Sequence, residues 1–231
     1  MWPFDKKKAS PQPPTPEAVP AAPAGGAAFH LTCAADLGQG PLPVFPLLMS
    51  SAAFTPAPNQ LARPLIVGPK LPGIPWVMIV HLIPTPGSPA PSRAFLRKER
   101  VDQLGKTVKD FEAEALANVA LRTATWEVVE PSPGAKMLTC TDDYLAAERI
   151  LDPAFLRKGH GMLGEKSMVV GIPCRGQLCA TPLAAFTQGA AHARTFKMLV
   201  EHLHAGAGET AIAPWLFLVI DGTLNSILEV E

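Results

Sequence analysis

The sequence predicts an α+β protein: a mainly antiparallel sheet with hairpins, and three to four amphipathic helices. Three observations carry that prediction. Strand-like apolar runs come in pairs around short turn sequences such as Asp221-Gly222. These hairpins outnumber crossovers, which favours antiparallel pairing. One long stripe, Val101, Leu104, Val108, Phe111, Ala115 and Val119, repeats at helical spacing with charged residues on the other faces.

Along the chain, residues 1–27 form a Pro/Ala-rich tail, with Val19 the one bulky apolar residue from Ala9 to Ala28, and are expected to be disordered. Twenty of the 26 prolines fall in the first 91 residues, so composition places a Pro-rich β segment at 28–91 and an α+β domain at 92–231. Within the Pro-rich segment, Phe29 to Ala34, Leu42 to Met49 and Leu65 to Val67 read as edge strands or extended pieces. Trp76 to Val80 reads as the interior strand. Arg93 to Leu104 reads as a short helix, broken at Gly105, and Val108 to Arg122 as the main helix behind a Thr107/Asp110 capping box. Thr125 to Glu130 and Lys136 to Cys140 form a hairpin. Asp142 caps a helix over Tyr144 to Leu151 that Asp152-Pro153 stops or kinks. Ser167 to Pro173 and Gln177 to Thr181 form a second hairpin, Ala190 to His204 a helix, and Trp215 to Ile220 with Leu224 to Val230 a third hairpin. Phe111 and Leu151 are expected in the core.

Composition excludes several classes. Lys+Arg and Asp+Glu both number 20, so the basic field that holds nucleic acid is missing. Leu65 to Ile83 is long enough to cross a membrane, but it carries Lys70, His81 and three prolines, so no membrane insertion is expected. The basic start, with Lys6 to Lys8, is followed by Pro-rich sequence rather than an apolar run, which points to no export signal and a cytoplasmic protein. Four scattered cysteines do not make a disulfide scaffold.

The motifs offer little chemistry. Gly159 to Ser167 has the glycine gap of a phosphate-binding loop, but Glu165 stands where lysine must follow Gly164, and a strand follows instead of a helix. Cys174 and Cys179 flank the Arg175-Gly176 turn and face each other across it. With His160 they are the residues the sequence offers for thiol catalysis, although small buried thiols are the preferred reading of both. His192, His202 and His204 lack metal-site spacing, so neither metal nor cofactor is expected. Asp142, Asp143, Glu148 and Arg149 read as a helix cap and a solvated helix face rather than an acid/base pair.

Three stretches resemble the uncharacterised YtpQ-like bacterial family, a domain of unknown function, over about residues 76–231. They are Glu114-Ala115-Leu116-Ala117-Asn118-Val119, the run from Tyr144 to Pro153, and Val169-Val170-Gly171-Ile172-Pro173-Cys174-Arg175, with a terminal Asp221-Gly222 segment. The chain departs from the family at Gly176, where an aspartate usually follows the arginine. The resemblance implies a cytosolic bacterial α+β domain and supplies no catalytic residue. The expected function is a non-catalytic binding or accessory module with a protein partner. The alternatives are a thiol-dependent enzyme using Cys174 or Cys179 with His160, and an immunity or chaperone-like partner of another bacterial protein.

Overall fold

The computed structural model describes residues 42–67, 73–88, 90–131, 135–141 and 143–228. The tail at 1–27, the expected strand from Phe29 to Ala34, Cys33 and the expected cap Asp142 lie outside them. The class is α+β, with antiparallel sheets and, among the described residues, five α-helices against the three to four expected.

The first sheet comprises β1 (Val44–Met49), β2 (Ala62–Pro64), β3 (Trp76–Ile83) and β4 (Ser92–Phe95). All three others pair antiparallel with β3, so the strand read as interior is the organiser of the sheet. Pro46 is tolerated in β1 because of its register. The Leu48 amide and the Val44 carbonyl, at the same parity, bond to side chains on the edge away from β3. The N–H that proline lacks would therefore have pointed out of the ladder. Leu65 to Val67 is not a strand; the pairing falls just before it, in β2.

Ser92 opens β4, so the compositional boundary at 91/92 cuts through one sheet. The helix expected over Arg93 to Leu104 is corrected: its first part is β4, and only α1 (Lys98–Gln103) is helical. Pairing with β3 overrides the helix propensity of Arg-Ala-Phe-Leu. Gly105, at φ +61°, separates α1 from α2 (Val108–Ala120). The capping box forms as read: the Asp110 amide donates to Thr107 Oγ1 at 3.2 Å and the Thr107 amide to Asp110 Oδ2 at 2.7 Å. Val101, Phe111, Ala115 and Val119 are buried, whereas Leu104 and Val108 sit at the break and are exposed.

The second sheet comprises β5 (Glu127–Val129), β6 (Met137–Cys140), β7 (Ser167–Gly171), β8 (Leu178–Pro182), β9 (Leu216–Ile220) and β10 (Thr223–Leu228). Its order is β10-β9-β7-β8-β6-β5, antiparallel throughout, and all three expected hairpins are present. One face, with Leu138, Val170, Ala180 and Phe217, packs on Phe155 and Leu156 of α3 (Pro153–Leu163). The other, with Met137, Val169, Cys179 and Leu216, packs on Phe186 of α4 (Leu183–Gln188) and on Phe196 and Val200 of α5 (Ala190–Gly206). The approach of α5 is close enough that a Cβ on Gly171 would stand 2.5 Å from Val200.

The Asp221-Gly222 turn has φ +51° and +80°, as a two-residue hairpin with two left-handed positions requires. β9 is interior and buried, and β10 is the more exposed edge strand, bulged between Leu224 and Ser226.

Two further expectations are corrected. Tyr144 to Leu151 is not an α-helix but a turn followed by a 3-10 helix at Ala147–Leu151. Leu151 is only half-buried, and its neighbour Ile150 takes the core position at 1% exposure. Asp152-Pro153 does stop that segment, yet it also starts α3. Asp152 accepts from the Ala154 and Phe155 amides at 3.0 and 3.1 Å, and Pro153 occupies the first helical position. The stretch that resembled a phosphate loop is the last turn of α3, its left-handed cap Gly164 at φ +75°, and the start of β7. Among the described residues, no helix is long and apolar enough to cross a membrane.

Candidate functional site

The densest polar chemistry lies at the seam between the two sheets. Glu148, in the 3-10 helix, is 0% exposed. Its Oε1 accepts from the Leu48 amide at 3.0 Å and from Arg175 Nη1 at 3.0 Å. Arg175, in the β7–β8 turn, donates from Nη2 to the Leu48 carbonyl at 2.7 Å. One ion pair thus satisfies both main-chain groups of Leu48 on the free edge of β1, as a neighbouring strand would. Burial pushes the Glu148 carboxyl above the usual range, opposed by Arg175 and the Leu48 amide.

Two further pairs extend the seam. Arg122 grips Asp143 with a two-pronged contact, Nε to Oδ2 at 2.7 Å and Nη2 to Oδ1 at 2.8 Å. Arg149 donates from Nη1 to Asp152 Oδ2 at 3.2 Å and from Nη2 to the Arg122 carbonyl, and its guanidinium lies 5.3 Å from the Phe155 ring centre. The three arginines meet three carboxylates, so the seam is neutral. Glu148 Oε2 and Arg149 Nε are buried without a partner.

The expected solvated helix face at Asp143, Glu148 and Arg149 is therefore wrong, because all three are buried. The segment is a 3-10 turn wedged between two sheets, so what would be the outer face of a helix meets the second sheet or β1. The sequence signal was available: a Glu-Arg pair inside the otherwise apolar run from Tyr144 to Leu151.

The residues offered for thiol chemistry are placed as follows. Cys179 faces the α4/α5 side of the second sheet, and its thiol is pushed up to about 12 by burial and, secondarily, by Cys174. Cys174 is half-buried and donates to Gln177 Oε1 at 3.4 Å; burial raises its pKa against the pull of Arg175. In the ladder Cys179 pairs with Gly171, while Cys174 bridges Ala211, so the two do not face each other across the turn. His160 is on α3, across the sheet from Cys179. Its Nδ1 bonds the Glu165 carbonyl at 3.0 Å, and its Nε2 is buried without a partner. Burial lowers its pKa, opposed by Glu165 and Asp221; neither cysteine is among its polar contacts. His192 bonds Thr181 Oγ1 at 2.6 Å. No group of three or more His, Cys, Asp or Glu side chains that could hold a metal occurs among the described residues.

A second feature adjoins the seam. Met49 lies opposite Trp76 and Arg93 opposite Leu82, so they occupy diagonal corners of the first sheet. On a flat sheet those corners would stand roughly 20 Å apart. Yet Arg93 Nη1 reaches Met49 Sδ at 3.8 Å, so the sheet must coil. Its inner face has a buried floor at Met78, Val80 and Leu82, and half-buried Met49, Phe54, Trp76, Phe95 and Tyr144 packed around it. Phe54 and Phe95 stack with centroids 5.3 Å apart, and the Arg175 guanidinium lies 5.4 Å from the Tyr144 ring centre. Arg175 Nη2 also reaches Met49 Sδ, at 3.6 Å.

A scan against protein-family models and searches of curated proteins and of solved structures find no match to this chain.

Proposed function

We propose that the chain is a non-catalytic binding or accessory module, working with a protein partner in the cytoplasm rather than with nucleic acid. The observation that supports this reading is the seam. Its carboxylates and guanidinium groups are spent on one another and on the main chain of β1, so they hold two sheets in register instead of facing a substrate. The equal counts of acidic and basic residues speak for a protein over a polyanion. The resemblance to the YtpQ-like family points to the same kind of cytosolic domain.

The rival reading, a thiol-dependent enzyme, needs a thiolate at neutral pH. Raised pKa values at Cys174 and Cys179 give less thiolate than a free cysteine. Labelling the native protein with iodoacetamide at pH 7 tests this. Both hairpin cysteines should react more slowly than free cysteine, and Cys179 only after unfolding. Faster labelling of either one would overturn the binding reading.

A further inference from the structure

We infer that His160 is an acid-operated latch: gaining a proton frees the α3–β7 connection and, with it, the β9–β10 turn docked beside it. His160 lies in the last turn of α3 at 7% exposure and closes that connection from both sides. Its carbonyl accepts from the Gly164 and Glu165 amides at 2.9 and 3.2 Å, and its ring Nδ1 donates to the Glu165 carbonyl at 3.0 Å. One residue thus satisfies both main-chain groups of Glu165. Three other elements hang on the same short stretch. β7 starts at Ser167, the Asp221 amide donates to the Lys166 carbonyl at 2.8 Å, and the Ala184 amide of α4 donates to Glu165 Oε2 at 3.3 Å.

The ring holds this place only while neutral. A carbonyl accepts and never donates, so the single ring proton sits on Nδ1. Nε2 is then a bare lone pair, buried without a partner. A second proton would put an N–H there with no acceptor among the described residues, and would charge a ring shielded from water. The charged groups around the junction do not offset this. Glu165 spends its carboxylate on the α4 amide, and Lys136 Nζ donates to the Met162 carbonyl. Arg157 packs against Gly222, where an added Cβ would meet its Cγ at 2.8 Å. Arg157, Lys136 and Lys166 carry the sign of the imidazolium itself. Among the described residues, Asp221 is the one carboxylate that draws a proton to the ring, and it is exposed to solvent. Opening the connection gives Nε2 water, so the proton binds the open form better than the closed one.

The inference goes beyond the proposed function and does not depend on a protein partner. Amide hydrogen exchange on the full chain at pH 7.5 and 5.5, corrected for the intrinsic pH dependence of exchange, tests it. The Glu165 and Asp221 amides should open more readily than the Ile79 amide of the first sheet, which donates to the Leu61 carbonyl. Between the two pH values their protection should fall about tenfold, the advantage of an open histidine titrating near 6.5 over a closed one that stays neutral. His160→Gln keeps a donor for the Glu165 carbonyl but cannot be charged, and should abolish the fall. Nitrogen NMR of the native imidazole gives a check that needs no variant: Nδ1 should carry the proton at pH 7.5. A proton on Nε2, protection equal to that of Ile79 at both pH values, no fall on acidification, or an equal fall in His160→Gln would overturn the inference. Thiol labelling is unaffected by any of these outcomes, so failure here is distinguishable from failure of the binding-module reading.

Discussion

The two sheets solve the same problem by different physics. The second sheet is covered on both faces, by α3 on one side and by α4 and α5 on the other, and apolar side chains dominate the packing. The first sheet also packs apolar faces, and Leu48, Leu65 and Val77 join the core of the second sheet, but where the edge of β1 turns toward that sheet the main-chain groups of Leu48 are closed by an ion pair. Apolar burial is strong but undirected, so it suits faces that must simply be covered. The edge of a strand presents an N–H and a C=O at fixed positions, and only groups of matching polarity and place can satisfy them. The charged seam is thus a device for register, held against the cost of burying its charges.

The largest expected effect tests that distinction. Glu148→Ala leaves Arg175 buried and unpaired and the Leu48 amide unsatisfied, and should cost about 3–5 kcal/mol in urea unfolding. The double replacement Glu148→Leu/Arg175→Met should recover most of the stability, yet leave the Leu48 amide poorly protected in hydrogen exchange. Full protection in the double variant would remove the register argument. Next, Leu138→Ala in the second sheet should cost about 3 kcal/mol, because it only opens a cavity. Its loss should not change with salt. A strong salt dependence would mean the second sheet also leans on charge.

Gly222→Val ranks third, at about 2 kcal/mol. The position has φ +80°, and an added Cβ would meet the Pro153 carbonyl at 2.7 Å, so the β9–β10 turn would lift from α3. A melting temperature within a degree of the parent would refute that docking.

The smallest effects, in pH dependence, should carry opposite signs in the two regions. Burial lowers the His160 pKa, so its contribution is complete above the unfolded value near 6.5 and is lost as pH falls below that. Burial raises the Glu148 pKa, so its contribution is complete below the unfolded value near 4.5 and is lost as pH rises through the folded value. His160→Gln should flatten the acid-side loss in urea unfolding between pH 7.5 and 5, and Glu148→Gln should not. The same flattening in both variants would show that one shared titration governs both regions.

Local chemistry made much of the fold legible. The Asp221-Gly222 turn, the Thr107/Asp110 box and the Trp76 to Val80 run each carry their signal within a few residues. α3 was hidden because Asp152-Pro153 reads as an end and Gly159 and Gly161 dilute its helix propensity. Gly159 is there for another reason: a Cβ would stand 3.0 Å from the Trp126 indole nitrogen. The seam was beyond reach for a different cause. Leu48 and Glu148 are 100 positions apart, and no spacing rule joins them. Only the charged pair inside an apolar run betrayed that something was buried, and it did not say with what.

The closed edge of β1 also bears on how copies of this chain behave toward each other. An open strand edge is a template on which another chain can add, and growth along such edges leads to aggregates. On β1 that template is occupied at Leu48 by Glu148 and Arg175, at Val44 by Asn118, and lacks a donor at Pro46. The second sheet is blunted by other means: β5 spans only Glu127–Val129, and β10 carries a bulge. Losing the Glu148–Arg175 pair would therefore expose a strand edge in an otherwise folded molecule, and the expected symptom is concentration-dependent precipitation before loss of secondary structure.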